Sequence, residues 1–182
     1  MGKRSEFERI ERDFYPTPFS AVLPLFEHLP FSGNFAEPCA GDGRLIKHIE
    51  DNSYLSCTLA IDIEPQCDRV SRANCLDYDF DPVDFIITNP PWDRRLLHPM
   101  IDHFVRFAPT WLLFDADWMH TLQSERFMLY CSRIVSVGRV KWIEGSKSVG
   151  KDNCAWYLFD VEDEGPTEFY GRIDYGRPRR NS

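Results

Sequence analysis

Three groups of residues have types and spacings that could do chemistry. The first is Asn89-Pro90-Pro91-Trp92, which follows the apolar run Phe85-Ile86-Ile87. Neither proline has an N–H to donate and both fix φ, so they end a strand ladder. Pro90 also pushes Asn89 towards an extended backbone. An amide side chain is therefore held at a strand's carboxyl end, with an indole two residues beyond the first proline. In an open α/β sheet that edge is where ligands bind. Taken alone, the stretch reads equally well as a plain proline turn.

The second group is Glu37-Pro38-Cys39-Ala40-Gly41-Asp42-Gly43, with the pattern of a strand running into a glycine turn. Glycines let the backbone approach a ligand, and small Cys39 and Ala40 keep space open. No third glycine completes a dinucleotide fingerprint, and no Lys-Ser/Thr completes a phosphate-binding loop. Glu37 and Asp42 would repel phosphates, so the turn suits a ligand with cationic or hydroxyl groups. The third is Asp62, about twenty residues past the glycine turn at the tip of the next strand, a position suited to ribose hydroxyls.

The elements that must position these residues alternate. A helix capped by Ser20 carries Val22, Leu25, Phe26 and Leu29 at helical spacing, with Pro24 tolerable only near its first turn. After the glycine turn, Leu45, Ile46 and Ile49 mark a helix over residues 44–50. Residues 54–63 supply a second strand, and Asp77 closes a third short strand or loop. The strand before Asn89 is the fourth. A helix over 96–107, a strand over 111–114, a helix over 121–131, and strands over 133–142 and 155–159 follow. The last two strands can pair as an antiparallel hairpin across a Gly, Ser and Lys loop. This alternation predicts a single α/β domain, a mostly parallel seven-stranded sheet with helices on both faces and an antiparallel last strand. The domain spans 1–164, with 1–12 a charged arm in which Phe7 and Ile10 mark one face of a short helix. Residues 165–182 read as a basic, flexible tail.

The chain has 182 residues and a formal net charge of −8, which opposes tight non-specific binding to phosphate backbones. Basic residues nevertheless cluster at Arg94 and Arg95, around Lys147 and Lys151, and in the tail. The six cysteines form no Cys-x-x-Cys pair and no zinc spacing, so reduced thiols in a cytoplasm, without a metal, are expected. No apolar run approaches a membrane span, and no signal core or myristoylation pattern opens the chain.

In this order the motifs resemble the S-adenosylmethionine-dependent methyltransferases of the Rossmann-like class, in particular the amino-methyltransferases that make N6-methyladenine. The matching pieces are Phe14-Tyr15-Pro16-Thr17-Pro18, the Glu37–Gly43 turn, Asp62-Ile63, Asp77 and Asn89-Pro90-Pro91-Trp92, over roughly residues 13–160. The resemblance implies S-adenosylmethionine as cofactor and S-adenosylhomocysteine as product. It puts Phe14, Tyr15 and Thr17 over the methionine end, and Glu37, Pro38, Cys39, Gly41, Asp42 and Gly43 around the methionine moiety. Asp62 takes the ribose, Ile63 packs on the adenine, and Asp77 accepts from the adenine amino group. Asn89 lies between cofactor and target.

It also implies a reaction. The lone pair of an exocyclic aromatic amine is delocalised into its ring, and attack on a sulfonium methyl leaves positive charge growing on that nitrogen. The Asn89 side-chain oxygen and the Pro90 carbonyl would accept its two N–H groups and aim the lone pair, with Pro91 stiffening the turn and Trp92 stacking on a flipped-out base. DNA is favoured over RNA as the polymer, in a small, stand-alone, phage- or prophage-like enzyme of a bacterial or phage-infected cytoplasm. The chain departs from the pattern in having no sizeable target-recognition region, which leaves Arg94, Arg95, Lys147, Lys151 and the tail, a homodimer or a partner protein to supply it. The alternatives are an RNA adenine-N6 methyltransferase, a protein glutamine N-methyltransferase, and a non-catalytic cofactor-binding subunit.

Overall fold

The structure is a computed structural model and describes residues 15–143 and 150–175. Phe14, the charged arm, Lys147 and the tail beyond residue 175 lie outside the described residues.

Eight strands form one sheet: β1 (Ser32–Glu37), β2 (Tyr54–Asp62), β3 (Ser71–Arg72), β4 (Phe85–Thr88), β5 (Thr110–Asp115), β6 (Cys131–Arg139), β7 (Asn153–Phe159) and β8 (Glu168–Tyr170). Their spatial order is β3-β2-β1-β4-β5-β7-β6-β8. Only β7 runs against the others, pairing antiparallel with both β5 and β6. The helices are α1 (Phe19–Val22), α2 (Arg44–Asn52), α3 (Arg94–Phe104) and α4 (Glu125–Met128).

Alternate residues of the central strands point to opposite faces, and both faces are covered. Phe35, Ile87, Trp111 and Leu113 join Val22, Ile46 and Ile49 in one cluster beneath α1 and α2. Ala36, Ile86, Leu112 and Phe114 join Leu97, Ile101, Phe104 and Phe127 in the other, beneath α3 and α4. The result is the three-layer α/β domain that the alternation of elements predicts.

Three local expectations are corrected. The first helix is not capped by Ser20. It starts after Pro18, stays α-helical only to Val22, and tightens into a 3-10 turn over Leu23–His28, because Pro24 has no N–H for the i→i−4 ladder. The helix expected over 121–131 is instead a 3-10 turn, Leu122–Ser124, followed by the four-residue α4, and another 3-10 turn, Ala116–His120, precedes that span. There the Asp115, Thr121 and Ser124 side chains bond nearby backbone and compete with the helical ladder. The sheet has eight strands rather than seven. The extra one, β8, comes from the stretch expected to be a tail, and pairs parallel with β6. The Thr167 hydroxyl, donating to the Cys131 carbonyl at 2.6 Å, anchors its start.

Candidate active site

β1, β2 and β4 are mutually parallel, so the segments that follow them emerge at one edge of the sheet. They enclose a cleft of about 700 Å³. Of the residues singled out in the sequence, Tyr15, Thr17, Pro38, Cys39, Gly41, Asp42, Asp62, Ile63, Asn89 and Pro91 line it together. Glu37, Gly43, Asp77, Pro90 and Trp92 do not line it.

One wall is built on a single carboxylate. Asp62 Oδ2 accepts the Gly41 N–H at 2.8 Å, and Oδ1 accepts the Glu64 N–H at 2.7 Å. This staples the glycine turn after β1 to the turn after β2. Gly41 and Gly43 have φ of 50° and 75°, the left-handed region in which a Cβ is strained. A side chain at position 43 would also crowd the Cys67 sulfur, 3.3 Å from the Cβ position. Asp42 accepts the Arg44 N–H at 3.0 Å and pairs with its guanidinium at 3.4 Å.

Glu37 ends β1 beneath the turn, 2 % exposed, and its Oε2 has no hydrogen-bond partner among the described residues. Burial, then the neighbouring Asp42 and Asp62 carboxylates, pushes its carboxyl well above the ordinary range, which favours the protonated form. Asp77 is exposed and is not among the residues that line the cleft. Its carboxylate accepts from the Asn74 side-chain nitrogen at 2.7 Å, and it is Asn74, with Cys75 and Leu76, that lines the cleft. Sequence reasoning passed over Asn74. Its signal was that Asn is a preferred cap, and here its side chain accepts the Leu76 N–H and opens the 3-10 turn Cys75–Asp77.

The other wall is assembled from side chains far apart in the chain. Asn89 Nδ2 donates to the Thr17 hydroxyl at 3.1 Å and to the Tyr15 carbonyl at 3.4 Å. A carbonyl only accepts, so the amide nitrogen must face the 15–17 segment, and Asn89 Oδ1 meets no donor among the described residues. Next to this wall, outside the lining itself, Trp92 is half-buried with its ring edge-to-face with Trp142 at 5.9 Å, and Trp142 in turn meets Tyr15, which lines the cleft, at 6.2 Å. Trp142 follows β6 and was read only as the end of a strand. A tryptophan leading into a Gly, Ser and Lys loop was the available signal. Gly150 packs beside the Trp142 ring, donating its N–H to the Val140 carbonyl at 2.8 Å, where a Cβ would clash with that oxygen.

The basic candidates are less free than their spacing suggests. The Arg95 guanidinium is taken up by Asp93 at 2.6 Å, and Arg94 donates to the Gln123 side chain at 3.3 Å. Lys151 is exposed. Among the described residues no three His, Cys, Asp or Glu side chains are grouped to hold a metal, and no helix is long and apolar enough to cross a membrane.

No family model and no curated protein matches the sequence. Solved structures do match. A candidate RNA methyltransferase from Pyrococcus horikoshii is 15% identical, aligning over 85% of this chain and 91% of its own, with a TM-score of 0.58. A dimethyladenosine transferase from Plasmodium falciparum is 17% identical over 82% of this chain and 63% of its own, at 0.54. A type I restriction-modification methyltransferase subunit from Streptococcus thermophilus is 8% identical over 86% of this chain and 47% of its own, at 0.56. The chain has the Rossmann-like α/β fold that these methyltransferases share.

Proposed function

We propose that the chain transfers a methyl group from S-adenosylmethionine to the exocyclic N6 amine of adenine in DNA. The observation that carries the proposal is the fixed Asn89 amide, whose nitrogen is spent on Thr17 and Tyr15 and whose oxygen meets no donor among the described residues. The cleft fits the cofactor chemically. Asp42, Asp62 and Glu64 line it, no Lys or Arg does among the described residues, and the ligand those groups favour carries a cation and hydroxyls rather than phosphates. The Asp62 oxygens keep lone pairs for a ribose diol beyond the two backbone bonds they already accept. Asn74, lining the cleft with its oxygen on Leu76 and its nitrogen on Asp77, stands where the adenine would lie.

When bound, the cofactor supplies an electrophilic methyl on a sulfonium. The chain supplies orientation and charge stabilisation. Asn89 Oδ1 and the Pro90 carbonyl accept the two N–H groups of the target amine, directing its lone pair at the methyl and stabilising the positive charge that grows on nitrogen. With the methyl supplied by the cofactor, these two acceptors would hold the amine in line until the surplus proton of the methylated nitrogen is released to water. Trp92 and Trp142 form an aromatic wall for the unstacked base.

RNA is the second reading. It draws on the match to the Pyrococcus horikoshii candidate RNA methyltransferase, which this chain covers almost end to end, whereas it spans less than half of the restriction-modification subunit. That neighbour is itself a subunit, which favours target recognition by a partner. The deciding experiment expresses the wild type and Asn89→Ala in cells and quantifies N6-methyladenine in digested DNA and RNA separately. Signal in DNA that disappears with Asn89→Ala is expected. Signal confined to RNA overturns the DNA reading, and cofactor binding with no methylated base in either pool overturns catalysis on nucleic acid.

A further inference from the structure

β8 is the last strand of the sheet, and among the described residues nothing pairs with its outer edge. Backbone N–H and C=O groups along such an edge can take up another strand. The edge runs past Tyr170. Atoms of the Arg172 side chain stand 3.0 Å from where a Cβ on Gly138 would lie, so residues 171 and 172 continue beside β6. In register with β6, Glu168 and Tyr170 lie beside Arg133 and Val135, and Phe169 lies beside Ile134. Alternation then puts Arg172 on the Glu168 face and Gly171 on the Phe169 face. Each of these residues has capacity left over. The Tyr170 hydroxyl at 2.7 Å and the Arg133 guanidinium at 3.6 Å both meet Glu168 Oε2, which leaves Oε1 without a partner among the described residues. The exposed Arg172 guanidinium has no hydrogen bond or ion pair among them either. Phe169 is 61 % exposed, and a Cβ on Gly171 would meet none of their atoms within 4 Å.

We propose that the 168–172 edge is the seam of a two-fold homodimer, in which it pairs antiparallel with the same edge of a second copy about an axis through Tyr170. In an antiparallel pair, residues directly opposite share a face. The axis sets Glu168 opposite the partner's Arg172 and Arg172 opposite the partner's Glu168, so the leftover oxygen and the leftover guanidinium meet twice. On the other face Phe169 lies opposite the partner's Gly171, also twice, and the exposed ring covers the surface that an edge glycine lacks. Moving the axis to Gly171 would set Glu168 opposite the partner's Asp174, two like charges, which fixes the register. A foreign strand would need the same order of charges, whereas a second copy brings it by symmetry. The contact is short, so the dimer dissociates on dilution. β5, β7 and β6 separate β8 from β4, the nearest strand that feeds the cleft, so both clefts stay open.

The test is sedimentation velocity of the purified full chain between about 1 and about 100 μM, where small interfaces dissociate. A monomer that becomes a dimer across this range is expected, with amide exchange over residues 168–172 slowing as the dimer forms. Glu168→Arg and Arg172→Glu should each raise the dissociation constant about tenfold or more, since either reversal turns two attractive pairs into two repulsive ones. An equimolar mixture of the two variants should dimerise again, because every reversed charge then faces an opposite one. Should Glu168→Arg disturb its own strand, Arg172→Glu alone still decides, since it breaks no ion pair among the described residues. A protein that stays monomeric throughout, a dimer indifferent to Arg172→Glu, or a mixture of folded variants no tighter than either alone each overturns the proposal.

Discussion

The two walls of the cleft are held in place by different means. On the side assigned to the cofactor, one carboxylate gathers two backbone N–H groups, and its longer reach spans 21 residues. On the target side, the Asn89 side chain is oriented by groups 72 and 74 residues away, and Trp92 leans on Trp142 from another part of the chain. A wall of short-range backbone turns closes small loops and orders cheaply, whereas a wall of side chains from distant segments depends on each of those segments staying docked. The cofactor wall is therefore expected to be the rigid half and the target wall the adjustable one.

Substitutions should separate the two. The largest effects come from the two anchoring side chains. Asp62→Ala leaves the Gly41 and Glu64 N–H groups without their acceptor and removes the diol acceptor. With hydrogen bonds to charged groups worth roughly 1.5–3 kcal/mol each, affinity for S-adenosylhomocysteine should fall about a hundredfold or more by calorimetry. Asn89→Ala should do the reverse, lowering methyl transfer by about a hundredfold or more while cofactor affinity changes by less than about tenfold. If Asn89→Ala abolished cofactor binding and Asp62→Ala spared it, the division of the cleft would be wrong. A smaller effect is expected of Trp142→Ala, which removes the ring that both Trp92 and Tyr15 contact. The nucleic-acid KM should rise by roughly tenfold as the aromatic wall loosens, with Trp142→Phe recovering part of the loss. A uniform fall in cofactor affinity in Trp142→Ala would instead assign the ring to the cofactor wall.

The same division governs how much was legible in the sequence. The strand, glycine turn, helix and acid of the cofactor wall follow one another along the chain, and their local patterns suffice: β1, α2, β2 and β4 lie where periodicity and glycines put them. What escaped depended on contacts, near or distant in the chain, that residue type and spacing do not specify. Asp77 looked like the acid facing the cleft, but the 3-10 turn rotates it onto Asn74, and the amide faces the cleft instead. Trp142 had no local mark of a site residue, since its role depends on rings at positions 15 and 92. The β8 segment, lying between Pro and Gly breaks with all three of its residues exposed, has no alternation to read, and only pairing with β6 makes it a strand. The polar segment after β5 has helix-forming residues, yet its side chains bond the backbone locally and hold it in 3-10 turns.

Acidity should act on the two walls in opposite directions, with the smallest effects of those considered. Beneath the cofactor wall, Glu37 is held well above the ordinary carboxyl range by burial first and then by Asp42 and Asp62. The folded protein keeps this proton when the unfolded chain has lost it. The stability linked to it is fully present at acid pH and is lost as pH rises through the folded value. On α3, the helix that follows the target-side turn, His98 is lowered by burial first, then by Arg126 and Arg94. Its Nε2 accepts the Trp118 indole N–H at 3.0 Å, which ties the first 3-10 turn after β5 to α3. Here the unfolded chain takes up the proton first, so the linked stability is present above the ordinary imidazole range and is lost as pH falls through the folded value. A protonated ring also has no lone pair left for Trp118. In melts between about pH 5 and pH 8, Glu37→Gln should gain on the wild type towards the alkaline end, while His98→Gln should flatten the loss at the acid end. Hydrogen exchange locates each effect: the Gly41 and Glu64 amides should open first as pH rises, and the Trp118 indole first as pH falls. Both signals moving together in one direction would mean that the two walls open as one cooperative unit, and the distinction between a rigid and an adjustable half would not hold.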